Sequence, residues 1–367
     1  MSTNTNISMF PTAFIPDPAR IFYSWRFLVV VLFLALPIAG CSQPKGVIFE
    51  PLETPLVWPS PPEVGRIEYV GSLMGEEDLK PGKSMFKSLA ETLFGQESTK
   101  AMLTPFAVCS DGAGRVFVCD SNAQLVHVFD LESRSYEQWK PDPLEGSFAQ
   151  PVGIFFDSLG RLLVSDAAAG IIHVFSSVGE YQGTIGDGQL NKPSGIVMDP
   201  ATHRIFVADT GAHQIAVLSF DGELLQRIGK RGTSLGEFNF PTNVAMTDDG
   251  SLYVSDSLNF RVQVFDPDLN PIRQIGEKGD VPGFFSHPKG IAFDQDGHLY
   301  VIDSHFESVQ IFDTQGSLLL SFGQEGHGPG QFWLPTGIHI DRNNLIWVAD
   351  SYNQRLQVFR YLPEDQQ

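Results

Sequence analysis

From residue 105 onward the chain alternates short apolar runs with polar turns. The cleanest stretch is Pro335–Phe359, PTGIHIDRNNLIWVADSYNQRLQVF. It holds three strand-length runs rich in β-branched and large apolar residues, separated by Asp, Asn and Ser clusters. Variants of this unit begin at Pro105, Pro151, Pro193, Pro241 and Pro288, so the spacings are 46, 42, 48, 47 and 47 residues. Such a period suits propeller blades or stacked helices, and the absence of a 3.6-residue rhythm argues against helices. The Pro-to-Asp distance is 15 residues for Pro105–Asp120, Pro151–Asp166, Pro241–Asp256, Pro288–Asp303 and Pro335–Asp350, and 16 for Pro193–Asp209. Eight residues after each Asp comes Val128, Val174, Val217, Val264, Ile311 or Val358. Length variation therefore falls between units, in loops.

Each unit reads as four strands. The first follows a Pro-x-Gly-Ile-like start and ends at a turn such as Asp111-Gly112 or Asp249-Gly250; the second ends in Val-x-Asp or a variant. The third is the VFD-like run, and the fourth leads into a glycine-rich loop, as in LLQRIGKRG. The pattern P-x-G-I, D-x-x-G, hhVAD, RVQVF resembles the NHL repeat, best at Pro241–Phe265 and Pro335–Phe359. The resemblance covers residues 105–359 and implies an all-β, six-bladed β-propeller of four-stranded antiparallel blades. The last unit lacks its own fourth strand, and residues 66–73, RIEYVGSL, are expected to supply it. Closure of this kind leaves no unpaired inner edge. The propeller is thus expected to span 66–360, with 361–367 as a tail. A non-repeat insert, 75–103, contains one short helix over 84–94, with Ser84 as N-cap, Phe86, Leu89, Ala90, Leu93 and Phe94 on one face and Gly95 as stop.

The N-terminal segment reads as an export signal. Arg20 and Arg26 precede the apolar run FLVVVLFLALPI at 27–38, which is short for a spanning helix, and Ile38-Ala39-Gly40-Cys41 resembles the bacterial lipobox. The resemblance implies a signal peptide over 1–40, translated from Met1 or Met9, and lipidation of Cys41. The protein would then be held on a bacterial membrane by its N-terminal lipid. Ser42 after the cysteine leans toward the outer membrane facing the periplasm. Residues 41–65, with Pro44, Pro51, Pro55, Pro59, Pro61 and Pro62, read as a semi-rigid tether whose Leu56, Val57 and Trp58 can pack on the body.

Composition adds two constraints. The formal charge of −19 sets the chain against phosphate backbones, so no nucleic acid is expected as partner. Three cysteines are too few for a disulfide framework. Pairing about the Asp-Gly-Ala-Gly turn places Cys109 opposite Val116 and Phe106 opposite Cys119. Both thiols are then out of bridging register and are expected reduced and buried.

Alternate loops of an up-and-down blade lie on opposite faces. The loops before each Pro and after each Val-x-Asp share one, which we call the loop face; the Asp-Gly hairpins share the other. The insert belongs to the loop face. The six recurring aspartates, with Arg261 and Arg355, are expected to hold backbone N–H groups and neighbouring loops, not substrate. Function should lie where the repeats differ. His213, His287, His305, Glu307 and His327 fall in loops of the loop face, and His339 on an innermost strand. Similar propeller lyases and gluconolactonase-like hydrolases build metal sites in this region, but no HxxxH or HxH pair is present to match them. No cofactor is therefore predicted, and Ca or Zn is the ion such ligands would take. Asp266-Pro-Asp268-Leu-Asn270 has Ca-like spacing without the Gly and distal Glu of an EF-hand loop, and reads as a turn. No nucleophile elbow, P-loop or haem-attachment motif occurs. The leading expectation is a non-catalytic, membrane-anchored module binding a protein, peptide or glycan in the cell envelope. The alternative is a metal-dependent lyase or hydrolase at the channel mouth.

Overall fold

The computed structural model describes residues 46–80, 100–144 and 146–363. The expected signal segment with Cys41 and the helix expected over 84–94 lie outside the described residues.

The strand-length runs pair as the period implies. Five units form four-stranded antiparallel sheets, and the sixth sheet is built from both ends of the described chain. The first blade uses Pro105–Ser110, Arg115–Asp120, Leu125–Asp130 and Ser135–Trp139, innermost strand first. Blades two to five repeat this order over 151–185, 193–228, 241–275 and 288–322. In the sixth, Pro335–Ile340, Leu345–Asp350 and Arg355–Tyr361 are followed by Ile67–Leu73, which pairs with Arg355–Tyr361 from Ile67↔Tyr361 to Leu73↔Leu356. The N-terminal strand therefore closes the ring. One strand was not expected: Val57–Trp58 adds a fifth, outermost member to this sheet. Trp58 lies 5.7 Å from Phe322 and 5.9 Å from Phe359, ring centre to ring centre.

The core sits between blades. In each unit the second and third strands are buried on both sides, as in Leu252–Asp256 and Arg261–Phe265, because they face a neighbouring blade on either side. Each apolar cluster joins two adjacent blades. One links Phe206, Ile215 and Phe238 to Val254 and Phe265, and another crosses the seam from Leu73 and Leu356 to Val116 and Phe129. The phenylalanines that precede the Pro residues belong to these clusters: Phe238 meets Phe265 at 5.8 Å and Phe332 meets Phe359 at 5.8 Å.

The Pro-x-Gly start has a steric cause. Six innermost strands crowd around one axis, and a Cβ on Gly337 would lie 2.6 Å from the Phe106 carbonyl oxygen of the next blade. A Cβ on Gly290 would lie 2.7 Å from the Thr336 oxygen. In the first blade the turn closes with the Asp111 N–H on the Arg115 carbonyl, which puts Ser110 opposite Val116, Cys109 opposite Phe117 and Ala107 opposite Cys119, one residue away from the expected register; the irregularity between Ala107 and Pro105 then brings Pro105 opposite Asp120. The two thiols are nevertheless free and buried. Burial pushes the Cys119 thiol up to about 12 and that of Cys109 well above its usual range, so neither is a nucleophile at neutral pH.

Candidate functional site

The recurring aspartates hold the loops above the blades. In the two best repeats the carboxylate is enclosed by one constellation. Asp256 accepts from the Asn239 N–H at 2.7 Å, Asn259 Nδ2 at 2.8 Å, Arg261 Nε at 2.9 Å and Gln263 Nε2 at 2.9 Å. Asp350 does the same with Trp333, Asn353, Arg355 and Gln357. In blades one and two a histidine replaces the glutamine. His127 Nε2 lies 3.2 Å from Asp120 Oδ2, and His173 Nε2 lies 3.7 Å from Asp166 Oδ2. Burial alone would raise the Asp166 carboxyl, but the His173 ring beside it and the N–H groups of Ala149, Ala169 and Gln150 bring it down to about 2. Asp209 has Ala216 at the glutamine position and a smaller set of donors, and burial pushes its carboxyl up. These residues are structural.

Three of the six sequence candidates also brace loops. His213 caps a short 3-10 turn, accepts the Phe240 N–H on Nδ1 at 3.1 Å, and meets the Phe240 ring edge-on at 4.4 Å. Glu307 Oε2 accepts the Leu334 N–H at 2.6 Å; desolvation raises its carboxyl to about 7. His327 bonds Asn353 Oδ1 through Nδ1 at 2.5 Å and meets Trp333 edge-on. The turn at Asp266 is closed on itself, with the Asn270 N–H on Asp266 Oδ1 at 2.8 Å.

His339 lies in the channel. A cavity of about 1070 Å³ opens toward the hairpin face and is lined by the innermost strands, with Asp248, Asp249, Asp294, Asp296 and Asp341 around it. The His339 ring lies across a blade boundary, Nε2 2.8 Å from Ser110 Oγ. Burial pulls the ring down to about 4, so it is neutral at physiological pH. Several of the surrounding carboxylates are occupied by turn bonds. Asp294, for example, accepts from the N–H groups of Asp296 and His298 and from the Tyr300 hydroxyl.

His287 and His305 come together at the opposite end. A second cavity, about 430 Å³, opens on the loop face over blades five, six and one. His287 and His305 line it with Lys289, Ser286 and Ser304, against Phe106, Leu334 and Tyr352. Lys289 is neither a histidine nor a carboxylate and carries no metal-ligand or acid–base signal in the sequence. It occupies the middle position of the Pro-x-Gly start, where the other repeats carry Phe106, Val152, Ser194, Thr242 and Thr336. Burial lowers its ammonium, and burial followed by the charge of Lys289 lowers His287. Among the described residues the Lys289 ammonium has no carboxylate partner.

Lys289 also interrupts a hydroxyl chain around this mouth. Ser194 pairs with Thr210 at 2.7 Å, Thr242 with Ser257 at 2.6 Å and Thr336 with Ser351 at 2.7 Å, oxygen to oxygen. In each pair the second hydroxyl donates to the proline carbonyl of the next blade: Thr210 to Pro241, Ser257 to Pro288 and Ser351 to Pro105. In blade five the pair would be Lys289 and Ser304, and Ser304 turns back to the His287 carbonyl of its own blade at 3.4 Å. Among the described residues no three His, Cys, Asp or Glu side chains converge as a metal-holding group.

Comparison with known proteins agrees with the architecture. Residues 190–218, 238–265, 285–312 and 332–359 match the NHL repeat. No curated protein matches the chain in sequence. Among solved structures the chain is similar to virginiamycin B lyase from Staphylococcus aureus, at 15% identity over 71% of this chain and 96% of that one, with a TM-score of 0.51. It is similar to a Bacteroides thetaiotaomicron protein of unknown function, at 14% identity over 72% and 70% of the two chains and TM-score 0.58. It is also similar to an auxiliary nutrient binding protein from Bacteroides ovatus, at 10% identity over 71% and 70%, TM-score 0.57. At these identities the likeness is one of fold. The chain is a six-bladed β-propeller carrying NHL repeats.

Proposed function

We propose that this protein is a non-catalytic binding module, held on a bacterial membrane through lipidated Cys41 and presenting its loop face to a protein, peptide or glycan of the cell envelope. The outer membrane, with the propeller in the periplasm, is the location this reading takes. The observation that carries it is the loop-face cavity beside the channel axis. It combines apolar Phe106, Leu334 and Tyr352 with Lys289, His287 and His305, whose side chains hold no other part of the described blades, which is the make-up of a ligand pocket. The neighbouring aspartates and hydroxyls are committed to holding loops, so they give a fixed frame and no reacting pair.

Two measurements test the reading. Replacing Cys41 with Ser should abolish fatty-acid labelling and release the protein from the membrane fraction; retained labelling would contradict the anchor. For the binding face, full-length protein is applied to peptide and glycan arrays. Binding should fall about tenfold or more in Tyr352→Ala, since central aromatics carry much of an interface. It should persist in Leu159→Ala on the hairpin face. The opposite pattern, or no bound feature at all, would end the proposal.

A further inference from the structure

We infer that the loop-face cavity captures the C-terminal carboxylate of a peptide ending in a large apolar residue, with Lys289 as its anchor. The inference rests on the binding reading above and names what is bound. Three observations lead to it. First, Lys289 is the one cation at a position that is otherwise hydroxyl or apolar in the six repeats. Its presence gives up a hydroxyl pair and an inter-blade bond of the kind seen in blades three, four and six. Blades one and two also lack the pair, but they carry apolar Phe106 and Val152 at this position; blade five alone carries a cation there.

Second, the ammonium is partly buried and, among the described residues, has no carboxylate beside it, in a protein whose formal charge is −19. The Asp303 carboxylate of the same blade is occupied elsewhere: it accepts from the N–H groups of Ser286, His287, His305 and Phe306. An unpaired cation in a partly desolvated pocket is costly, and a ligand anion relieves the cost. Third, blades six and one line the cavity with Phe106, Leu334 and Tyr352, together with Thr104, Thr336 and Ser351. A cavity of about 430 Å³ holds one or two residues, with a carboxylate at the cationic end and an apolar side chain against Phe106, Leu334 and Tyr352. The hydroxyls of Thr104, Thr336 and Ser351 are already hydrogen-bonded within the blades, so a glycan would find few free polar partners there. Chain-end capture is an established mode of peptide recognition.

The test uses full-length protein and acetyl-Gly-Gly-Phe as free acid and as C-terminal amide, compared by calorimetry. The acid should bind about tenfold or more tightly than the amide, the effect of one charge-assisted hydrogen bond. Lys289→Met should bring the acid down to the level of the amide and leave the amide unchanged. Lys289→Arg should keep most of the preference. Thermal unfolding of both variants confirms that the fold is intact. Equal affinity for acid and amide, an unaltered preference in Lys289→Met, or no binding of the acid at millimolar concentration each overturns the inference. So does galacturonate binding in place of the peptide, through Lys289. If array binding is still lost in Tyr352→Ala while the acid preference is absent, the binding module stands and carboxylate capture falls.

Discussion

At the residue scale, Asp256 explains most about the repeat. Its carboxylate sits under the loop between blades and gathers donors from both sides, and Arg261 is buried with it. Removing one member of a buried ion pair leaves the other uncompensated. Asp256→Ala should therefore cost about 3–5 kcal/mol of stability by denaturant unfolding; a cost under about 1 kcal/mol would contradict the structural role. Asp166 gives the pH test. Its carboxyl is held at about 2, below its ordinary value near 3.8, so its contribution is present above pH 3.8 and lost as pH falls through about 2. His173→Ala removes a neighbour that depresses this carboxyl and should move the acid-unfolding midpoint upward; an unchanged midpoint would count against the account. These roles were legible in the sequence, because the Asp recurs at fixed spacing and so do its best partners. Lys289 was not, because its significance lies in a cavity assembled from three blades. Only a position-by-position comparison of the Pro-x-Gly starts would have singled it out.

At the scale of elements, the innermost and closing strands set the tolerances. Gly337 lets the sixth blade's inner strand approach Phe106 of the first. Gly337→Ala forces backbone movement and should destabilise by about 1–3 kcal/mol, measured by chemical denaturation. A neutral substitution would mean the axis is looser than described. Strand Ile67–Leu73 is the seam, and Leu73 is fully buried in the cluster between the sixth and first blades. Leu73→Ala should cost about 2–5 kcal/mol and speed amide exchange in Arg355–Tyr361 before exchange in blade three; uniform exchange would argue against a distinct seam. Strand existence, order and closure followed from period and alternation, since a buried strand imposes its pattern on the sequence. The extra strand Val57–Trp58 did not, because two residues among prolines carry no periodic signal. The cysteine register differs by one from the expectation because the turn closes between Asp111 and Arg115, one residue tighter than a four-residue Asp-Gly-Ala-Gly loop, and the hydrophobic pattern carries no mark of where a turn closes.

At the scale of the whole molecule, the two ends of the propeller axis differ. The hairpin end opens into a large cavity with a carboxylate-rich surround, much of it engaged in turn bonds. The loop end carries a smaller cavity with Lys289, His287 and His305. The candidate histidines were legible as loop residues, but their sorting into braces, a channel residue and a pocket depends on which blades meet, which no single repeat encodes. The binding-module account assigns ligand to the loop end alone. Hydrogen exchange of full-length protein, with and without a peptide or glycan selected from the arrays, tests this most directly. The account predicts protection at 286–289, 304–306, 334–336 and 351–353, and unchanged exchange at 247–251, 294–297 and 341–343. Protection confined to the three hairpin segments would place the ligand at the other end of the axis and contradict the account.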